Sequence, residues 1–130
     1  MKRWTAFATG ALLALVVVAL AAAPAGVAKR GDIRVAGTCT GPTTSKIKLS
    51  AEDGGIEVEF EVDQNRNGVP WKVALSHNGG TVARLTRVTR GPSGSFEARI
   101  VTPDAPGADV LRGRATSPSG AVCTAQATFS

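Results

Sequence analysis

The sequence predicts an all-β domain, an antiparallel β-sandwich of seven to eight strands preceded by an N-terminal signal helix. Three observations carry that reading. Beyond residue 28 no window sustains a helical period, whereas short runs of alternating apolar and polar residues recur. Turn residues punctuate these runs at close to the spacing of a sandwich or barrel. Cys39 and Cys123, the only two cysteines, stand near the two ends of the same stretch, which in an exported chain reads as a single disulfide.

The start of the chain has the three parts of a secretory signal. Lys2 and Arg3 supply the positive charge, Ala11 to Ala23 is an unbroken apolar run, and small residues follow it. Two cleavage sites are open, after Ala25 (Ala23-Pro24-Ala25) and after Ala28 (Gly26-Val27-Ala28). The second is preferred, dividing the chain into a signal peptide at 1–28 and a β-sandwich domain at 29–130. No cysteine follows the apolar run closely, so a lipid anchor is not expected. Pro24 and Gly26 interrupt the run short of the roughly 20 apolar residues a bilayer span needs, so no stable membrane span is expected after cleavage. The destination is the medium or the cell envelope.

Strands are expected near Ile33–Cys39, Lys46–Ala51, Ile56–Asp63, Trp71–Ser76, Thr81–Thr89, Ser95–Val101, Ala108–Thr116 and Ala121–Phe129. The clearest is Ile56-Glu57-Val58-Glu59-Phe60-Glu61-Val62, in which every second residue is apolar and every residue between is Glu. Lys46-Ile47-Lys48-Leu49 has the same period with Lys outside, and Asp53-Gly54-Gly55 between the two is a hairpin signal. With Asp53-Gly54 as a two-residue turn, Lys48 falls opposite Glu59 and Lys46 opposite Glu61, while Leu49 meets Val58 and Ile47 meets Phe60. The three glutamates then read as a solvated face neutralised across strands. Trp71, Val73 and Leu75 form the next inward row and end at the turn His77-Asn78-Gly79-Gly80. In Thr81–Arg90 the apolar residues Val82, Leu85 and Val88 fall out of phase, as a bulge or an edge strand requires. Phe96, Ala98 and Ile100 alternate inward. So do Leu111, Gly113 and Ala115, and, after the turn Ser117-Pro118-Ser119-Gly120, the alanines and Cys123 up to Phe129.

Trp71-Lys72-Val73-Ala74-Leu75 followed by Asn78-Gly79 resembles the third strand and following turn of fibronectin type III and immunoglobulin-like domains. Asp109 to Ala115 resembles their penultimate strand, with Leu111 where an aromatic is usual. The cysteines depart from the antibody pattern: Cys39 precedes the first strands and Cys123 lies on the last, so the bridge ties an N-terminal extension to the final strand. Gly37-Thr38-Cys39, Ile56–Val62, Asp63-Gln64-Asn65-Arg66, Trp71, His77-Asn78-Gly79, Gly94-Ser95-Phe96 and Cys123, in that order, resemble a group of small exported actinobacterial proteins of unassigned function. The resemblance implies an immunoglobulin-like sandwich and brings no activity with it.

Fifteen basic and ten acidic residues give a formal charge of +5, which becomes +3 once Lys2 and Arg3 leave with the signal. That is modest for a nucleic-acid binder, no aromatics interleave with the cations, and no nucleic acid is expected as partner. Asp63 to Gly68 matches the first half of a calcium loop, but Ala74 stands where the bidentate Glu belongs, so a turn is the better reading. His77 is the only histidine, in a hairpin tip where an oriented base is hard to build and where a surface role is expected. No metal site, cofactor or catalytic residue is expected. Arg84, Arg87, Arg90, Arg112 and Arg114, with Lys72, are candidates to converge on one sheet, and the alternation points Lys72, Arg112 and Arg114 outward as binding residues. The expectation is a non-enzymatic secreted or envelope binding module, its partner an anionic envelope polymer or a surface protein. A structural envelope protein without a dedicated ligand is the alternative, and a small secreted hydrolase a distant third.

Overall fold

In the computed structural model, which describes residues 31–130, nine strands follow one another: β1 (Ile33–Ala36), β2 (Thr38–Cys39), β3 (Thr44–Glu52), β4 (Gly55–Asp63), β5 (Pro70–His77), β6 (Gly80–Val88), β7 (Ser95–Pro103), β8 (Asp109–Thr116) and β9 (Val122–Phe129). The signal segment read at residues 1–28 lies outside the described residues. Every ladder is antiparallel. One sheet has the order β1-β3-β4-β7 and the other β2-β9-β8-β5-β6. Among the described residues there is no helix, and so none long and apolar enough to cross a membrane.

The β3–β4 hairpin forms in the register its pattern demands. Glu52 pairs with Gly55 around Asp53 and Gly54, whose φ values of 40° and 79° are those of a tight primed turn. Lys48 then lies opposite Glu59, Lys46 opposite Glu61, Leu49 opposite Val58 and Ile47 opposite Phe60. Ile56, Val58, Phe60 and Val62 are at most 1% exposed and face the other sheet. Burial of each contributes about 1.5–3 kcal/mol relative to exposure. Trp71, Val73 and Leu75 of β5, Leu111 and Ala115 of β8, and Cys123, Ala125, Ala127 and Phe129 of β9 supply the opposing half of the core.

The run expected as one strand, Ile33–Cys39, divides at Gly37, which makes nine strands of the expected seven to eight. β1 pairs with β3 in one sheet and β2 with β9 in the other, so the chain crosses between sheets at a single residue. Gly37 donates its N–H to the Ser45 carbonyl at 2.8 Å, and a Cβ on it would run into the Thr124 carbonyl oxygen and the Ser45 hydroxyl. Only glycine fits there. Two residues on, Cys39 and Cys123 are cross-strand partners joined by the disulfide, at a sequence separation of 84. The bridge thus lies within one sheet, clipping the N-terminal extension to the last strand.

β6 is an edge strand, and its pairing with β5 shifts between Leu75 and Ser76. The bulge leaves Val82 46% exposed, which accounts for the broken phase of this segment. The turn before β6 is the expected Asn78-Gly79 pair, with φ values of 49° and 84°.

Candidate functional site: the outer face of the five-stranded sheet

On β5 the residues that alternate with Trp71, Val73 and Leu75 point away from the core, and they are Lys72, Ala74 and Ser76. Cross-strand pairing extends each into a row. Thr86, Lys72 and Thr116 stand side by side on β6, β5 and β8; Arg84, Ala74 and Arg114 form the next row; Ser76, Arg112 and Gln126 follow towards β9. Lys72, Arg84, Arg112 and Arg114 are all exposed, and none of their side chains makes a salt bridge or hydrogen bond among the described residues. The outward placement read for Lys72, Arg112 and Arg114 is what the sheet displays, and Arg84 joins them across β5.

Arg87 and Arg90 do not belong to this group. Arg87 pairs with Trp71, so it projects to the inner side of the edge strand. With Arg90, outside the strands, it borders a cleft of about 360 Å³ alongside Glu61, Phe96 and Glu97. An odd step along β6 separates Arg87 from Arg84, and in a strand an odd step means the opposite face.

Acidic residues collect on the other sheet. Lys48 Nζ lies 3.2 Å from Glu59 and Lys46 Nζ 3.6 Å from Glu61, the pairs read from the hairpin register. Arg99 of β7 reaches Glu57 at 2.5 Å. That guanidinium, helped by Glu52 and against the effect of burial, holds the Glu57 carboxyl down at about 2. The hydrogen bond and field of Glu57 in turn raise the Glu52 carboxyl above the usual carboxylate range. Glu97 is raised by burial first, then by Glu59 and Glu61. Cations here have anions within reach, whereas on the five-stranded face they have none among the described residues.

His77 closes the end of the sandwich. Its Nε2 lies 2.6 Å from Asp109 Oδ1 and its Nδ1 3.0 Å from Thr102 Oγ1. The Ala105 N–H also donates to Asp109 Oδ1 at 3.0 Å. Burial pushes the fully enclosed Asp109 carboxyl up, but the His77 hydrogen bond, the Ala105 N–H and Asp104 outweigh it, and its pKa ends below the usual value. The neighbouring Asn78 accepts the Val110 N–H through Oδ1 at 2.7 Å. The expected surface histidine is thus a half-buried link between β5, β7 and β8. Its partners lie 25 and 32 residues away, beyond any local motif. The one sequence signal was Asp109 itself, an acid standing in phase with the inward row Leu111, Gly113 and Ala115.

The calcium-like segment is a turn. Asp63 Oδ1 accepts the Asn65 N–H at 3.0 Å, and buried Thr89 ties the loop by donating to the Arg66 carbonyl at 2.6 Å and accepting the Val69 N–H at 2.9 Å. Among the described residues no group of three or more His, Cys, Asp or Glu side chains is placed to hold a metal ion. In comparisons with known proteins, no family model, no curated protein and no solved structure matches the chain.

Proposed function

We propose that the chain is an exported, non-enzymatic binding module with a fibronectin type III-like sandwich, and that its five-stranded face takes an anionic polymer of the cell envelope. The carrying observation is the set Lys72, Arg84, Arg112 and Arg114, four cations on one face with no acidic partner among the described residues. Their fields add over distances shorter than the screening length, so a polyanion gains more than from scattered charges.

The fold type rests on strand order. Without β1 and β2, the remaining seven strands run β3-β4-β7 in one sheet and β9-β8-β5-β6 in the other, the three-plus-four arrangement of that class, with Trp71 on the third strand. Export is supported by the signal-like start and by the disulfide, a bond that persists in oxidising compartments. The hydroxyl–imidazole–carboxylate chain of Thr102, His77 and Asp109 tells against a hydrolase, because Thr102 is only 4% exposed and a nucleophile there has no approach to a substrate.

The test is retention of the domain on purified cell envelopes across a salt series, comparing wild type with the Lys72→Ala, Arg112→Ala, Arg114→Ala triple variant. Wild-type retention falls steeply as salt rises, and the variant's log–log salt slope is shallower by about two to three. Equal retention of both proteins at every salt concentration overturns the reading. Thermal stability of the variant is checked alongside, because arginine stems also cover sheet surface. Export is checked by N-terminal sequencing of protein from the medium, with Lys29 or Gly26 expected first; intact Met1–Ala28 in the membrane fraction overturns it.

A further inference from the structure

Ala74 is the gap in the basic face. Its short side chain lies between Arg84 and Arg114, which are its direct cross-strand partners on either side. Two strand spacings put the Cα atoms of the arginines roughly 10 Å apart, within reach of both guanidinium groups bending inward over the methyl. Lys72 stands on the adjoining row, flanked by the hydroxyls of Thr86 and Thr116. These six residues line a groove of about 390 Å³. Every charged group in it is a hydrogen-bond donor.

We propose that this groove is a phosphoryl subsite, so that the anionic polymer taken by the face is one that carries phosphate groups along its backbone. The inference rests on the anion-binding reading of the same face and narrows its ligand. A carboxylate presents two oxygens in one plane and satisfies one guanidinium fork edge-on. A backbone phosphodiester spreads its charge over two non-bridging oxygens on a tetrahedral phosphorus, and each of them has lone pairs and an edge towards an ester oxygen on its own side. Forks from opposite sides, Arg84 and Arg114, therefore each find an acceptor edge while Lys72 meets the same charge as a point cation. Ala74 leaves the volume into which the group descends. Arg112, on the next row, is placed to meet the following charge of an extended chain.

The experiment compares poly(glycerol phosphate) with polyglutamate of matched length and charge, binding to the disulfide-bonded domain (residues 29–130) at fixed ionic strength, with phosphatidylglycerol vesicles as a third arm. The phosphate polymer binds about tenfold more tightly than polyglutamate, as bidentate recognition provides. Arg84→Lys with Arg114→Lys keeps every charge but removes both forks, and brings the two polymers to within about twofold of each other while the salt dependence stays. Ala74→Leu fills the groove without changing charge and has the same effect. Equal affinity of wild type for the two polymers overturns the phosphoryl subsite and leaves the anionic face standing, whereas binding of neither polymer overturns both. Tighter binding to vesicles than to the phosphate polymer overturns the choice of a polymer. A phosphate preference that survives both variants places recognition elsewhere and overturns the assignment.

Discussion

The ring of Phe60 lies directly over Gly113, so that β4 of one sheet packs on the bare backbone of β8 in the other. A Cβ at position 113 would fall among the Cγ, Cδ1 and Cδ2 atoms of that ring. Gly113 sits inside a strand, where glycine weakens pairing, and the close approach of Phe60 is the physical reason it stands there. Gly113→Ala is expected to destabilise the fold by about 1–3 kcal/mol through overpacking. Trimming the ring with Phe60→Leu in the same chain should recover part of that loss. Urea unfolding of the two single variants and the double variant measures the coupling; strictly additive costs would show that the two residues do not compete for space.

Trp71 is fully buried, its ring 6.1 Å from that of Phe96 and its Nε1–H donated to Gln64 Oε1 at 3.2 Å. Trp71→Ala is expected to cost about 3–5 kcal/mol, as for other large core aromatics. In residues 29–130 it is the only tryptophan, so intrinsic emission reports on it alone. A blue-shifted band that iodide fails to quench is the expected native signal, and a red-shifted, freely quenched band contradicts the burial.

These core features were legible because strand alternation is a two-residue code that survives without tertiary knowledge. The β3–β4 register could be written down in advance, since the turn, the apolar rows and the Lys–Glu ladder all demanded the same pairing. The outward set Lys72, Arg112 and Arg114 followed from the same code. Arg84 and Arg87, three residues apart on one strand, must face opposite ways by the same code, and the bulge opposite Leu75 and Ser76 hid only which of the two turns outward. The crossing at Gly37 was hidden for a related reason: Ile33–Cys39 reads as one strand locally, and only the packing of Gly37 against Ser45 and Thr124 divides it. The partners of His77 were invisible, being brought to it by the meeting of two sheets.

Reduction of the Cys39–Cys123 bridge is expected to lower stability without removing the β signature. The bond closes a loop of 84 residues, for which the chain-entropy account gives about 4.5 kcal/mol, but it clips only the two-residue strand β2 onto β9, and the seven strands β3–β9 pair without it. Replacing both cysteines with alanine tests this without leaving a buried hydroxyl in place of Cys123. A far-ultraviolet spectrum like that of the wild type, with a lowered Tm and faster amide exchange in β1 and β2, is the expected result. Loss of all strand structure in the variant would mean that the core depends on the bridge.

Asp109 makes the fold sensitive to acid. Its carboxyl is pushed up by burial, yet the His77 hydrogen bond, the Ala105 N–H and Asp104 lower it further than burial raises it, and its folded pKa lies below the usual value. A carboxyl lowered by folding contributes stability that is present in full above the unfolded value of about 3.9 and is lost as pH falls through the folded one. Asp109→Asn should therefore cost about 1.5–3 kcal/mol at pH 7, the worth of a hydrogen bond to a charged group, with the difference from wild type shrinking below about pH 4. Glu57, held at about 2 by Arg99, loses its contribution in the same direction, so Glu57→Gln separates the two effects. His77→Ala gives the sharper test. With the strongest lowering influence gone, the Asp109 carboxyl should titrate higher than in the wild type, and the acid transition should move to higher pH. Urea unfolding from pH 2 to 7, together with carbon-13 titration of the Asp109 carboxyl, follows both shifts. A stability profile for Asp109→Asn that runs parallel to the wild type across the whole range would sink the account of His77 as the group that keeps Asp109 ionised.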